Sequence, residues 1–302
     1  MKHQSIDGLV LLSNKTGDCD AYLSILTREG RFPMLVKGSS SLKSGKGALS
    51  QVFTYANFEY YTRGTLNILK DGCVNRSFFE ATKREGATEL CYYLCELAHE
   101  LSDENVEAEE LLRLLLNSLY ALSEGRFSER VVKAAFELRA MSVSGYAPQL
   151  HACTACGRSE GDLYLNVQGG TVICSECLSK NRFRGEEDLR ATQSLLPLSP
   201  SVLAAMRYCI ECSVSRVFSF ALEEEELDVL CRAAESYVLL HLEKRFATLE
   251  YYYEVKAQMA GMEALLEKRR KNRERKEALK NQAEEADKAH EHLGEKSENP
   301  GI

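Results

Sequence analysis

The sequence predicts an α+β multidomain fold, in which an N-terminal OB-fold β-barrel precedes an all-α helical domain with an embedded four-cysteine finger. The first 80 residues fall into short strand-like segments, helical periodicity begins near residue 77, and two Cys-x-x-Cys pairs lie within the helical region. The chain has 302 residues, of which 44% are hydrophobic, enough for two modest domains. We therefore predict a barrel domain over 1–79, a helical domain over 80–261 with the finger at about 150–182, and a charged tail, helical or disordered, over 262–302.

The barrel is predicted from five runs of residues typical of strands, at about 8–12, 21–27, 31–37, 52–62 and 65–74. Turn-forming residues such as Gly17, Gly30 and Gly64 separate them. The one longer connection, 38–47, follows the third strand and is rich in Gly, Ser and Lys. Five strands in about 80 residues are typical of a small closed barrel of the OB type.

Helical periodicity replaces this pattern in the rest of the chain. Apolar residues recur at helical spacing, which predicts helices at about 89–101, 110–122, 128–144, 199–214 and 223–255. The last 41 residues contain ten basic and ten acidic side chains and few large apolar ones. Such a tail cannot bury a core of its own.

Charge is distributed unevenly along the chain. The net charge of −7 argues against a polyanionic partner unless one segment differs from the rest. Residues 1–80 contain ten Lys and Arg against seven Asp and Glu, whereas residues 81–150 contain seven against twelve. The basic N-terminal segment is therefore the better candidate for contact with nucleic acid.

The two Cys-x-x-Cys pairs are the most specific local motif. Cys153 and Cys156 are separated by seventeen residues from Cys174 and Cys177, and the residues between them read as a hairpin that returns the second pair to the first. This spacing predicts a Zn²⁺ site with all four cysteines as ligands. Four thiolates leave no open position for water, so the zinc is expected to be structural.

Other interpretations of the cysteines stay open at this point. The four residues could be reduced free thiols or a redox pair, although two pairs outside a thioredoxin-like setting disfavour the latter. A similar pair, Cys209 and Cys212, lies in a helical apolar stretch, and Cys91 and Cys95 are one helical turn apart. We predict that these additional cysteines are buried as small apolar residues.

A DNA-binding surface is predicted on the third strand and the loop after it. Arg31, Lys37, Lys43 and Lys46 occupy a span without any acidic residue. OB barrels bind single strands by combining basic groups with aromatic side chains on which bases stack. The fourth strand offers five aromatic side chains, of which we expect most to be core: Phe53, Tyr55, Phe58, Tyr60 and Tyr61. The alternative is a solvated Lys/Ser/Gly loop, and the basic run at 268–276 is a second candidate.

Catalytic and membrane-spanning signals are lacking in the sequence. The loop at 38–47 has neither the glycine spacing nor the Ser/Thr of a phosphate-binding loop, and no GxSxG or His-Glu-x-x-His motif occurs. Charges interrupt every apolar run well short of the roughly 20 residues that cross a bilayer. We expect a cytoplasmic, nucleoid-associated protein that is not an enzyme.

Three stretches together match one known family: Thr-Arg-Glu-Gly-Arg at 27–31 with Val-Lys-Gly at 36–38, Phe-Glu-Leu-Arg at 136–139 with Gly-Tyr-Ala-Pro-Gln-Leu at 145–150, and the four cysteines that follow. Through these stretches the chain resembles the bacterial RecO recombination mediators. The resemblance runs in the family's order from about residue 6 to 253 and includes His-Leu-Glu-Lys-Arg at 241–245 in a late helix.

The resemblance implies an OB-fold, a helical domain and a zinc finger. It implies binding to single- and double-stranded DNA, annealing of complementary strands and, with RecR, help for RecA in displacing single-strand-binding protein. It also carries zinc binding over to the four cysteines, and the family's basic OB surface to Arg31, Lys37, Lys43 and Lys46.

Two rival functions remain. OB barrels and zinc knuckles also occur in RNA-binding or transcription-associated modules. A zinc-dependent hydrolase acting on nucleic acid is disfavoured, because four thiolates close the coordination shell.

Overall fold

A computed structural model describes residues 4–40, 45–79, 86–180 and 195–294, with side chains as far as residue 274. The chain divides into two units, Met1–Tyr252 and Tyr253–Ile302. The first unit holds a closed barrel, a helical body and a small four-stranded sheet. In the second, the described residues continue the last helix as far as Gly294.

Five strands close the barrel in the order β1-β2-β3-β5-β4. Neighbouring strands pair antiparallel, except that β3 and β5 meet in parallel at Leu35 and Ile68. The predicted OB-type barrel is confirmed, and β1 is longer than expected at 13 residues. The strands are β1 Gln4–Thr16, β2 Asp20–Thr27, β3 Gly30–Val36, β4 Thr54–Arg63 and β5 Leu66–Ser77.

Alternation of apolar side chains along the strands fills the barrel. Val10, Leu23, Ile25, Met34 and Phe58 are fully buried and belong to one cluster inside it. Because successive side chains of a strand point to opposite faces, the intervening residues lie on the outside of the barrel. That outer side carries the contacts with the helical body.

Seven helices and a second sheet make up the described part of the chain after the barrel. The first three helices differ from their predicted bounds by no more than two residues. The helices are α1 Ala87–Glu100, α2 Glu109–Glu124, α3 Glu129–Val143, α4 Ser175–Ser179, α5 Pro200–Glu211, α6 Glu224–His241 and α7 Ala247–Gly294. The second sheet has the order β6-β8-β7-β9, with β6 Gln149–Cys153, β7 Leu163–Asn166, β8 Thr171–Cys174 and β9 Leu195–Leu198.

The prediction of a single helix over 223–255 was wrong, because the structure has two helices there. Helix α6 ends at His241 and α7 begins at Ala247. Between them Glu243 has a φ of 47°, in the left-handed region. Phe246 is buried, with its ring centroid 5.6 Å from that of Tyr93 in α1. Burial of this ring offsets the cost of interrupting the helix.

The barrel packs against the helical body through a shared hydrophobic cluster. Leu9, Leu11 and Leu26 of the barrel belong to the same cluster as the buried faces of the helices. The turn between β2 and β3 also pairs with the loop between α1 and α2. The amide of Arg31 donates to the Asp103 carbonyl at 2.9 Å, and the amide of Ala108 donates to the Arg28 carbonyl at 2.8 Å.

A charged pair lies inside the helical body. Lys133 and Glu137 of α3 are buried, with 2.7 Å between Nζ and Oε1. Lys133 Nζ also lies 2.6 Å from Oε2 of Glu235 in α6, and the Tyr93 hydroxyl donates to Glu137 Oε1 at 2.8 Å. This network joins α1, α3 and α6.

Helix α7 is the longest of the described helices. It is rich in charged residues, and the run that contains Met262, Leu265 and Leu266 exposes these apolar side chains. Over the described residues, no helix pairs enough length with enough apolar character to cross a membrane.

Candidate metal centre and nucleic-acid interface

The four cysteines of the two Cys-x-x-Cys pairs lie together in the structure. Their Sγ atoms are all within 4.8 Å of one another, and Cys156 is exposed whereas Cys153, Cys174 and Cys177 are buried. Among the described residues, this is the group of His, Cys, Asp and Glu side chains that is close enough to hold a metal ion. The predicted grouping is confirmed.

The small sheet brings the two pairs together. Cys153 ends β6 and Cys174 ends β8, and these strands pair in parallel. The predicted hairpin is formed by β7 and β8, which pair antiparallel from Leu163 opposite Cys174 to Asn166 opposite Thr171. Helix α4 begins directly after Cys174, so that its first turn presents Cys177.

A tight turn shapes the first pair. The amide of Gly157 donates to the Cys153 carbonyl at 2.8 Å, and the amide of Cys153 donates to the Arg158 carbonyl at 2.7 Å. Gly157 has a φ of 76°, which a residue with a Cβ adopts only with strain. The turn therefore favours glycine at this position.

The thiols differ in their tendency to ionise. Burial disfavours the thiolate of Cys153, but hydrogen bonds from surrounding backbone groups, first that of Cys174, outweigh it and lower the pKa of Cys153 to about 7. Burial, followed by hydrogen bonds with the other cysteines, raises the pKa of Cys177 to about 12. Four thiolates at such distances need a cation to balance their charge, and an all-sulfur donor set suits zinc. The residues fit that ion.

Of the four additional cysteines that we predict to be buried, three are buried in the structure. Cys91, Cys95 and Cys209 are buried, and burial is the main reason why the pKa of each thiol is raised, to about 12 for Cys91. Cys212 is only partly buried and its pKa is also raised by burial. A thiol held neutral in apolar surroundings is a poor metal ligand and a poor nucleophile.

The three described residues of the predicted basic set differ in position and in exposure. Arg31 and Lys37 flank opposite ends of β3, about 20 Å apart along an extended strand. Lys37 is exposed, whereas Lys46 is partly buried, and its Nζ donates to the Leu69 carbonyl at 3.1 Å. Lys43 lies outside the described residues.

Arg31 lies at the contact between the barrel and α1. Its guanidinium NH1 is 3.1 Å from the carbonyl oxygen of His99, to which it donates, and 3.2 Å from both ring nitrogens of that residue. Burial, followed by the positive charge of Arg31, lowers the pKa of the His99 imidazole. Arg31 thus has a structural partner within the chain.

Most aromatic residues of β4 and the segment before it face the interior, as expected. Phe53 and Phe58 are buried, and Tyr55, Tyr60 and Tyr61 are partly buried. The Tyr60 ring packs edge-on against Phe32 at 4.9 Å. Little of this aromatic surface is available to bases.

An arginine with an exposed aromatic neighbour lies at the end of β5, where no sequence pattern predicts a site. The guanidinium carbon of Arg76 lies 4.6 Å from the ring centroid of Tyr120 in α2. Phe79 and Tyr92 are exposed; Phe79 comes shortly after Arg76 in the chain, and the Tyr92 ring of α1 lies 4.8 Å from that of Phe53. No local pattern relates these residues, because they come from a strand and two helices far apart in the sequence.

Two family models match the chain. The one described as "Recombination protein O N terminal" covers residues 1–78, and the one described as "Recombination protein O C terminal" covers residues 87–250. The first match coincides with the barrel. The second spans the helical body and the cysteine centre.

Several curated proteins named "DNA repair protein RecO" are similar to this chain over most of their length. The protein from Acetivibrio thermocellus is 28% identical over 255 residues, which cover 83% of this chain and 96% of that protein. The protein from Caldicellulosiruptor saccharolyticus is 27% identical over 258 residues, 85% of this chain and 100% of its own length. The protein from Bacillus pumilus is 28% identical over 212 residues, 70% and 78% of the two chains.

Proposed function

The chain belongs to the RecO family of DNA repair proteins, and from this premise we propose that it is a recombination mediator. In this role it binds single- and double-stranded DNA and anneals complementary strands. With RecR it promotes loading of RecA onto DNA coated with single-strand-binding protein, in the cytoplasm and in association with the nucleoid. It performs no catalysis of its own.

The observation that carries the proposal is the match of both family halves, in order, to the barrel and to the helical body with its cysteine centre. The chemistry is compatible with it. Annealing forms and breaks no covalent bond, and it requires only that phosphate charge be screened while bases stay accessible. A barrel segment with a basic balance can supply that screening.

We place the DNA contacts of the barrel on Arg31, Lys37, Lys43 and Lys46. The exposure of Lys37 supports its assignment. Arg31 is engaged by His99, so its contribution is proposed to be the smallest of the four. Because these contacts are with phosphates, affinity should fall steeply with added salt.

Annealing of complementary strands coated with single-strand-binding protein tests the proposal. Wild type should anneal them, and Lys37/Lys43/Lys46→Glu should lose most of this activity while keeping its circular dichroism spectrum. Lys180/Arg232/Arg245→Glu makes the same change in charge on the helical body and should stay active. Failure of wild type to anneal, together with tight binding to RNA, would favour an RNA-binding OB module instead.

We also propose that the ion at the four cysteines is Zn²⁺ and that it is structural. Purified protein should contain about one zinc per chain, since four thiolates complete the tetrahedral shell. Cys174→Ser should lose the metal and lower the melting temperature, because zinc binding and folding of such a centre are coupled. Cys19→Ser, at an exposed cysteine outside the centre, should keep the zinc content and the melting temperature of wild type. Full zinc content in Cys174→Ser would contradict the assignment.

A further inference from the structure

A group of aromatic side chains and one arginine lies where the barrel meets the helical body. We call it the junction cluster. It is formed by the end of β5, by the two residues that follow this strand and by one residue from each of two helices: Arg76, Phe78, Phe79, Tyr92 and Tyr120. These parts are far apart in the sequence, so they come together only in the folded chain.

Contacts connect Arg76 with Phe78 and Tyr120, and Tyr92 is linked to them through Phe53, whereas Phe79 directly follows Phe78 in the chain. The guanidinium carbon of Arg76 lies 5.1 Å from the ring centroid of Phe78 and 4.6 Å from that of Tyr120. The amide of Phe78 donates to the Phe53 carbonyl at 3.0 Å, and the Phe53 ring lies 4.8 Å from that of Tyr92. The cluster is therefore continuous from α1 through β5 to α2.

Much of this aromatic surface faces solvent. The exposed fractions are 56% for Phe79, 43% for Tyr92 and 36% for Tyr120, whereas Phe78 beneath them is buried. Arg76 is exposed as well. By contrast, the aromatic rings of β4 are buried or partly buried, so the junction cluster offers exposed rings that β4 does not.

A β-bulge lies in β5 directly before Arg76. Val74 pairs with Ala56 and Arg76 pairs with Tyr55, so that one extra residue, Asn75, stands in β5 without an opposite partner in β4. Such a bulge bends a strand and redirects the side chains that follow it. Here the side chain that follows the bulge is that of Arg76, which lies over the Tyr120 ring of α2.

Charge decides what kind of ligand this surface suits. Among the side chains that the structure describes, no carboxylate forms an ion pair with Arg76. A guanidinium stacked on a ring keeps its N–H edge for phosphate oxygens, and the exposed rings can stack with unpaired bases. The barrel segment that carries Arg76 has ten basic against seven acidic residues.

We propose that the junction cluster is a stacking site for unpaired bases of single-stranded DNA, with Arg76 contacting the phosphate beside them. This assignment rests on the proposed function, because it presumes that the chain binds single strands. It adds a site on the helical side of the barrel that the basic residues of β3 and its loop do not include. The strand would be held across the junction with its bases separated and accessible for pairing.

Fluorescence tests stacking directly, because the chain contains no tryptophan. Tyr120→Trp places a single indole in the cluster, and oligo(dT) should quench it on binding. Tyr146→Trp is the matched control, since Tyr146 is 42% exposed in the turn after α3, outside the cluster. Its emission should change little at the same saturation.

Affinity measurements test the energetic contribution. Tyr120→Ala and Phe79→Ala should each weaken oligo(dT) binding about tenfold, within the range found for base stacking on aromatic side chains. Duplex affinity should be unchanged, because paired bases are not available to stack. Arg76→Gln should reduce the slope of log affinity against log salt by about one phosphate contact.

The outcomes separate this inference from the proposed function. If wild type binds neither oligo(dT) nor duplex, the proposed function itself fails. If wild type binds and anneals while Tyr120→Trp is not quenched and the alanine variants keep full affinity, only the junction cluster is wrongly assigned. Equal loss of single-strand and duplex affinity in Tyr120→Ala would also overturn it, since that result indicates a structural role.

Discussion

Arg31 shows how one residue can be predicted for one role and placed in another. It lies in a span without acidic residues, which favours contact with phosphate. In the structure its guanidinium donates to the carbonyl of His99 and lies against the imidazole. The charge of Arg31 therefore acts on a residue of α1, in addition to any contact with DNA.

The His99 imidazole should make stability depend on pH. Burial, followed by the charge of Arg31, lowers the pKa of His99 below its ordinary 6.5, so the folded protein holds the ring neutral. As pH falls through 6.5, the unfolded chain binds a proton that the folded chain resists, and stability is lost. The free energy of unfolding, measured by urea titration, should fall between pH 7.5 and 5.5.

Two substitutions isolate this effect. His99→Gln should have a smaller decrease in stability over the same pH range, because its side chain does not titrate. His151→Gln removes an exposed histidine and should leave the decrease nearly unchanged. Identical pH profiles for wild type and His99→Gln would exclude His99 as the cause.

Among the helices, the sequence predicted where α3 and α5 begin, but it did not predict where α6 ends. The Ser128 and Ser199 hydroxyls accept hydrogen bonds from the amides of Val131 and Val202, as N-cap residues do. The end of α6 carries no comparable signal, since helical periodicity continues beyond it. The break depends on burial of Phe246 against α1, a contact between distant parts of the chain.

The buried ion pair of Lys133 and Glu137 lies within α3 and contacts Tyr93 of α1 and Glu235 of α6. Breaking this ion pair should be costly. Lys133→Met leaves Glu137 buried without its cation and should lower the free energy of unfolding by about 3–5 kcal/mol. The double variant Lys133→Met/Glu137→Leu should recover part of that loss, because the fully buried carboxylate is removed together with its cation, and only the partly exposed Glu235 still lacks its partner. Chemical denaturation of both variants measures the difference.

An exposed ion pair of the same spacing provides the control. Lys180 and Glu176 are also four residues apart, but both are well exposed. Lys180→Met should change stability by less than about 1 kcal/mol. If Lys133→Met were equally mild, the buried pair would contribute little to the packing of α3.

At the scale of the whole molecule, the barrel meets the helical body at a glycine. Gly30 has a φ of 112°, and a Cβ there would lie 2.3 Å from the Asp103 carbonyl oxygen and 2.6 Å from that of Val106. These are backbone atoms of the loop between α1 and α2, so a side chain cannot be accommodated by a rotamer change. The close approach allows the β2–β3 turn to form its two backbone hydrogen bonds with that loop.

Gly30→Ala should therefore weaken the packing of the barrel on the helical body. We expect a loss of stability of about 1–3 kcal/mol from overpacking, added to the strain of a positive φ. Gly64→Ala is the matched control, since Gly64 has a φ of 62° and no atom within 4 Å of its added Cβ. It should show the strain alone. Equal melting temperatures for the two variants would contradict a role of Gly30 in this contact.

Local sequence patterns were enough to predict the barrel, most of the helices and the grouping of four cysteines. These follow from local patterns: strand-like runs between turns, helical spacing of apolar residues, and paired cysteines around a hairpin. The sequence also carried enough of the motifs of its family for the resemblance to be seen. Each signal lies within a short stretch of chain, so no knowledge of distant contacts is needed to interpret it.

Which residues of these elements contact one another depends on the folded chain. The tertiary structure set Arg31 against His99, turned Phe53 and Phe58 inward, and assembled the junction cluster from β5, α1 and α2. Alternation along a strand defines two faces, but it does not say which stretch of the outer face another element covers. That choice is made by long-range packing, because burial against distant helices is where the free energy of these contacts arises.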